Sequence, residues 1–281
     1  MSIILPATES IKQQVQYALA EDIGDGDVTA QLINIEQQAH ATVISREAGI
    51  LAGSAWFNLV FQQLAPDINI HWLLSDGAII QANQEICTFS GSARTLLTGE
   101  RTALNFLQLL SGTATTVHQY VQAISGSNTK LLDTRKTIPG LRDAQKYAVR
   151  CGGGENHRIG LYDMVLIKEN HIASAGSITL ALHAAQRLYP NLPIEVEIEQ
   201  LNELEEALKA GAKRILLDNM PNDILRQAVK MNQSRAKLEA SGNVTIDTIH
   251  DIARTGVDYI SIGATTKHLK ALDLSMILTA I

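Results

Sequence analysis

Cysteine is nearly absent: Cys87 and Cys151 are the two in 281 residues. One disulfide could form but no disulfide framework, so an apolar core must hold the fold and a reducing cytosol suits the chain. Aromatic residues make up only 4%, and the net charge is -6. Both argue against a general nucleic-acid surface, which needs basic stripes with interleaved aromatics. No uncharged apolar run is long enough to span a membrane, and no basic segment followed by an apolar core opens the chain. Neither a transmembrane helix nor a signal peptide is therefore expected. Several site signatures are missing as well. Without HExxH or a cysteine pair at ligand spacing, His157 and His171 make no zinc pattern. The glycines at 152–154 are not followed by GK[ST], and no GxGxxG opens a helix, so a P-loop and a dinucleotide fold are unsupported.

What the chain does have is rhythm. At this length it can hold one large domain or two smaller ones with ample core. Helical spacing covers 8–20, with Thr8 as the expected N-cap. The acidic loop EDIGDGDVTA (21–30) carries Asp22, Asp25 and Asp27 but lacks calcium-loop spacing, so a structural turn is expected. Strand patterns follow at 41–45, 68–74 and 85–91, interrupted by a helix near 54–64 and a turn at Asp76-Gly77. This half reads as a compact α+β unit. A long helical stretch then spans 92–110, with Arg101 near its start, where the helix dipole does not favour a cation.

After Gly112 the pattern becomes short apolar runs separated by helices: LLDT (131–134), DMVLI (163–167), IEVEIE (194–199), RILLDN (214–219), AKLEASG (236–242) and DYISIGA (258–264). Such βα alternation predicts a parallel sheet covered by helices, a barrel or part of one. The polar ends of the runs would gather on the carboxyl-end face, where such folds bind ligands.

That face is basic. Seven of the 23 Lys/Arg fall in 131–171, which is 41 of the 281 positions. Arg135 and Lys136 follow one run, Lys168 ends another, and His157 and Arg158 lie between. A solvated charged surface would follow a helical stripe; these groups cap strands instead, which favours a small polyanion. In IEVEIE, period two puts Glu195, Glu197 and Glu199 on one face. Such a row needs a metal, Lys/Arg or a cationic transition state to balance it, or else internal salt bridges to Lys168 and the arginines. Glu197 and Asp218 are candidates for Mg2+, sugar hydroxyls or developing positive charge. The turns SGN (241–243) and SIGATT (261–266) are small enough for backbone N–H groups to approach an anion. Viewed alone, Lys168 also fits a Schiff-base barrel aldolase.

The blocks EDIGDGDVTA, TGERTALNFLQLLSG, LLDTRKTIPGLRDAQKYAV, GGGENHRIGLYDMVLIKENH, EVEIE, LLDN, LEASGN, ISIGATTKH and ALDLSM, spread over 21–276, closely resemble the quinolinate phosphoribosyltransferase family. The resemblance implies a type II phosphoribosyltransferase fold. Its parts are an N-terminal α/β sandwich domain (1–112, joined by the closing segment 267–281) and an incomplete, about seven-stranded α/β barrel (113–266). It implies phosphoribosyl transfer from 5-phosphoribosyl 1-diphosphate to quinolinate with decarboxylation, in de novo NAD biosynthesis in the cytoplasm, without nucleic-acid or membrane partners. It also implies a homodimer with shared sites. Carried over by position, Arg135, Lys136, His157 and Arg158 surround quinolinate, with Arg101 donated by the neighbouring subunit. Lys168, Glu197 and Asp218 surround the phosphoribosyl diphosphate and its Mg2+, held by Glu197 and Asp218 directly or through substrate and water. Ser241, Gly242, Asn243, Gly263 and Ala264 cradle phosphate. Lys136, Lys168, Glu197 and Asp218 are the expected catalytic groups. Thr265 stands where the family often has leucine, with little effect expected. A paralogous phosphoribosyltransferase with another substrate is the nearest alternative.

Overall fold

The structure, a computed structural model, describes residues 3–281 and divides into two compact units. The first takes residues through His118, then Thr137–Gly153 and Thr265–Ile281; the second takes Gln119–Lys136 and Gly154–Ala264. Segment 137–153, within the range expected for the barrel, thus packs with the first unit.

The first unit is built on an antiparallel sheet in the order Leu274–Ala280, Gln38–Ser45, Glu85–Ser92, Ile70–Trp72. Gln38–Ser45 alternates between solvent and core along its length, burying Ala39, Ala41 and Val43. That is the pattern of a sheet with one packed face. The closing strand pairs with it from Ala39↔Ala280 to Ser45↔Leu274, which buries Leu274 and Met276. The helix Ser54–Leu64 lies where its spacing predicts and buries Trp56, Phe57, Val60 and Phe61. The scarce aromatics are concentrated here: Phe57, Phe61, Phe89 and Trp72 meet at ring separations of 4.7–5.7 Å. Cys87 and Cys151 are buried free thiols, so no disulfide contributes.

Two local expectations change, at the first helix and the long helix, and one, the turn at 21–30, holds. The first helix runs Thr8–Ile23 with Ala7 as its N-cap and no side-chain capping bond, so Thr8 is the first helical residue instead of the cap. The acidic loop is a turn: the Asp27 carboxylate accepts the backbone N–H groups of Thr29 and Ala30, each at 3.0 Å, and the Thr98 hydroxyl at 2.8 Å. The long helix does not stop at 110 but runs Ala93–Ala123. Gly112 is not a helix terminator there. A Cβ on it would lie 2.1 Å from the Lys270 carbonyl oxygen, so its lack of a side chain admits the segment leading into the closing strand. The glycines at 152–154, by contrast, do end a helix. Gly152 caps Arg142–Cys151, and Gly153 has φ +91°.

The second unit is a parallel sheet in the order Lys130–Leu132, Tyr259–Ser261, Lys237–Ser241, Arg214–Asp218, Ile194–Ile198, Val165–Ile167. All six runs form strands. A single parallel bridge, Leu132↔Glu155, adds a rudimentary seventh member beside the first strand. The two edge strands are not paired with each other among the described residues, so the barrel is incomplete. Helices such as Leu201–Lys209 and Asn222–Asn232 separate the strands, each burying one apolar face. Because every strand runs the same way, Asp133, Lys168, Asp218, Ser241 and the residues after Ser261 collect at one edge. Among the described residues no helix is long and apolar enough to cross a membrane.

The Gly112 contact makes a signed prediction. In an isolated helix Gly→Ala is stabilising by about 1 kcal/mol. Here Gly112→Ala should destabilise by about 1–3 kcal/mol, because backbone and not a flexible side chain must yield. A urea midpoint equal to or above that of the wild type would contradict this packing.

Candidate functional site

The site is assembled from strand ends of the second unit. After the strand Lys130–Leu132, Asp133 is fully buried. Its carboxylate accepts the backbone N–H of His157 at 2.8 Å and the Asn156 amide at 2.7 Å. This pair of bonds ties the NHR segment to the LLDT segment, although 24 positions separate Asp133 from His157. The His157 ring is then fixed at both nitrogens. Nδ1 accepts the Arg158 backbone N–H at 2.8 Å, which leaves the ring proton on Nε2, 2.8 Å from Glu195 Oε2.

Arg135 and Arg158 converge on this region. Burial, and then the neighbouring positive charge of Arg135, hold the Arg158 guanidinium below its ordinary pKa. Arg158 Nη1 donates to the Met164 carbonyl at 3.2 Å. Arg135 Nε is buried and has no hydrogen-bond partner among the described residues. Two like charges held near each other, one with an orphaned buried donor, suit a carboxylate or phosphate. Lys136 lies across the turn after Tyr259–Ser261: a Cβ on Gly263 would sit 2.8 Å from Lys136 Cδ. The small residue at 263 therefore admits the lysine stem. Ala264 opens the short helix that follows, and Thr265 behind it is buried.

Lys168 and Glu197 form an ion pair at 2.5 Å, the lysine partly exposed and the glutamate largely covered. The salt-bridge reading of the carboxylate row thus holds for this pair, and the pair still stands at the strand-end edge. It also weakens the aldolase reading, since an ammonium held on a carboxylate is a poor amine nucleophile. The row itself is shorter than period two implies. Glu195 and Glu197 lie on the strand, but Glu199 is exposed beyond its end, where the backbone turns into the next helix and its N–H donates to Glu203. His171 Nδ1 accepts the Lys168 N–H at 3.0 Å, a local helix-start bond unrelated to zinc.

The last polar turns interlock. Asn219, with φ +53°, donates its N–H to the Ser241 carbonyl at 2.8 Å and its side-chain amide to Asp218 Oδ2 at 2.7 Å. Gly242 adopts φ +106°, and a Cβ there would meet Asn219 Oδ1 at 2.1 Å. Asn243 completes the contact through Asn219 at 3.4 Å. The backbone at 241–243 is thereby shaped against the residue that orients Asp218, with Ser241 in register with both Asp218 and Ser261.

Arg101 belongs to the first unit. It is exposed on the helix Ala93–Ala123, well past the first turn. The helix dipole therefore has little to say about it, contrary to the expectation that it lies near the helix start. Glu195 was singled out only as a member of the carboxylate row, and its partner Arg214 bears out the salt-bridge reading for it too. The residues that sequence reasoning did not select are structural: Asp133, Asn156, Arg214, Asn219 and Glu239. Arg214 bridges the buried carboxylates of Glu195 (Nε, 2.8 Å) and Glu239 (Nη2, 2.6 Å), while its guanidinium carbon lies 4.6 Å from the centre of the Tyr259 ring. Burial disfavours the charge on Arg214, and the two carboxylates outweigh it and raise its pKa. Burial likewise works against Glu195, yet His157 and Arg214 bring it below the ordinary range. The available signal was charges at strand positions whose neighbours are apolar; LEASG and RILLDN both contain one.

Comparison with known proteins identifies the family. Residues 27–111 match the family described as quinolinate phosphoribosyl transferase, N-terminal domain, and 113–277 match its C-terminal domain. The chain is 43% identical over 272 residues to a probable nicotinate-nucleotide pyrophosphorylase [carboxylating] of Bacillus subtilis, covering 96% of this chain and 93% of that one. It is 44% identical over 279 residues to a protein of the same description from Synechocystis, with 97% and 94% covered. Among solved structures, the nicotinate-nucleotide pyrophosphorylase from Francisella tularensis superposes with a TM-score of 0.97 at 49% identity, covering 99% of each chain. With both domains matched and the strand-end groups in place, the chain belongs to the quinolinate phosphoribosyl transferase family.

Proposed function

We propose that this protein transfers the phosphoribosyl group of 5-phosphoribosyl 1-diphosphate to quinolinate, releasing diphosphate and CO2 and forming nicotinate mononucleotide for de novo NAD biosynthesis in the cytoplasm. Family membership supports the reaction. The observation that carries the substrate assignment is the Arg135–Arg158 pair with its orphaned buried Nε. Quinolinate bears two adjacent carboxylates on a flat ring. Guanidinium forks bind carboxylates bidentately and fix the ring plane, which a lysine point charge does not. In this reading Arg135, Lys136, His157 and Arg158 hold quinolinate. Ser241, Gly242 and Asn243, with Gly263 and Ala264, cradle phosphate.

The chemistry follows from that placement. The pyridine nitrogen lone pair forms a bond to the anomeric carbon while the C–O bond to diphosphate breaks and its electrons leave with the diphosphate. Positive charge develops on the ribose ring, and Glu197 and Asp218 stabilise it. The product ring is cationic, so the bond to the carboxylate next to the nitrogen can break, releasing CO2 and leaving its electron pair on the ring carbon. Lys136 or Lys168 stabilises that carbanion and a proton then replaces the carboxyl group. No carbonyl cofactor is required for this electron sink.

Mg2+ fits the residues as a substrate-borne ion. It binds through one or two carboxylates together with substrate phosphates, and Glu197 and Asp218 offer that number of groups. Either would hold it directly or through water, and when bound it neutralises the leaving diphosphate. Completion of each site by Arg101 of a second subunit accounts for an exposed arginine on an otherwise well-packed helix.

Two measurements test this reading. Arg135→Ala and Arg158→Ala should each lower kcat/KM for quinolinate at least about tenfold, chiefly through KM, as loss of charge-assisted bonds requires. Smaller losses would sink the clamp. Arg101→Ala and Arg135→Ala proteins, each at about a tenth of wild-type activity or less, should regain about a quarter of wild-type activity after subunit exchange, since half the dimers are mixed and carry one intact site. No regain would place Arg101 outside the partner's site.

A further inference from the structure

The buried group formed by His157, Glu195, Arg214 and Glu239 has a charge balance that its hydrogen bonds fix. Because the Arg158 N–H occupies His157 Nδ1, the imidazole is neutral and donates through Nε2 to Glu195. Arg214 is the cation bonded to both carboxylates, at 2.8 and 2.6 Å. Glu195 and Glu239 are both fully buried. One guanidinium between two buried carboxylates leaves a surplus negative charge in a dry site, and binding a proton relieves it at lower cost.

The bonds also say where that proton belongs. Both oxygens of Glu195 accept donors, whereas Glu239 Oε1 is buried with no hydrogen-bond partner among the described residues, 3.5 Å from His157 Nε2. We propose that Glu239 works as a neutral carboxylic acid and that, through Arg214 and Glu195, it is the positioning residue that keeps His157 in its neutral Nε2–H form. The groups facing it are Glu195 and Arg214 from the two strands on one side, Ser261 from the strand on the other, and His157 from the loop. Burial, followed by the Glu195 charge, pushes the Glu239 carboxyl up to about 7. A metal is a poor alternative. His157, Glu195 and Glu239 bring ligand atoms within 4.8 Å of one another, but Nε2 carries the proton and Arg214 already engages both carboxylates.

The sign of the pH effect follows. Below about pH 7 Glu239 is neutral and the network is intact. As pH rises through that value Glu239 gives up its proton to solvent, and a second buried negative charge then faces Glu195 across Arg214. Their repulsion weakens the hold of Glu195 on the His157 ring and loosens the NHR segment. The functional consequence rests on the assignment of His157 and Arg158 to quinolinate.

The experiment has two arms. Nitrogen NMR of the histidine rings in the full-length protein at about pH 6.5 should find His157 neutral with its proton on Nε2. A doubly protonated His157 would put the compensating proton on the imidazole and overturn the proposal, whether or not any variant folds. In turnover assays, quinolinate KM of the wild type should rise about tenfold or more between about pH 6.5 and 8.5, whereas Glu239→Gln should stay within about twofold of its own low-pH value. Parallel pH profiles for the two proteins would also overturn it. Absence of quinolinate turnover by the wild type would count against the functional reading and leave the NMR result to decide the proton's location.

Discussion

Arg214 lies between two carboxylates that have no contact with water, and much of the candidate site depends on that one guanidinium. It comes from the start of a strand, not from the carboxyl-end edge where ligands bind. It neutralises Glu195, Glu195 holds the His157 imidazole, and His157 in turn receives the Arg158 N–H. Asp133 fixes the same loop from the backbone side. The consequence is a rigid NHR segment whose cationic side chain is delivered to the site while the ring behind it stays neutral. In a low-dielectric interior each of these bonds is strong only while its partner is present, which makes the network all-or-none.

The second organising device is the absence of side chains. Gly263 admits the stem of Lys136, Gly242 admits the Asn219 amide, and Gly112 admits the carbonyl of Lys270. The first two shape the strand-end turns around groups proposed to meet substrate. The third locks the closing segment onto the first unit. Only the Gly242 position also demands a positive φ, so the common requirement is close approach, not conformational freedom.

Much of the fold was legible in the sequence because period-two and helical spacing are local properties. Each of the six apolar runs became a strand, and the helix at 54–64 was readable from its own residues. Boundaries failed where a distant contact overrode a local signal. Gly112 looks like the end of a helix until the Lys270 carbonyl is found against it, and Glu199 looks like the third member of a carboxylate row until the chain turns. Residues proposed to touch substrate were also legible, since charges that cap strands stand out. Those that hold them were legible only in part: the carboxylate row flagged Glu195, but its meeting with Arg214 and Glu239 was not, because the three lie on different strands and meet only across the sheet.

The sequence by itself determined the α/β rhythm, the basic strand ends and, through many separated blocks, the family resemblance. These depend on which residue follows which along the chain. Only the tertiary structure decided the His157 tautomer, the surplus negative charge beside Arg214, the pairing of Lys168 with Glu197 and the turns that must remain glycine. Each of these depends on the distance between atoms far apart in sequence, and neither composition nor spacing encodes that distance.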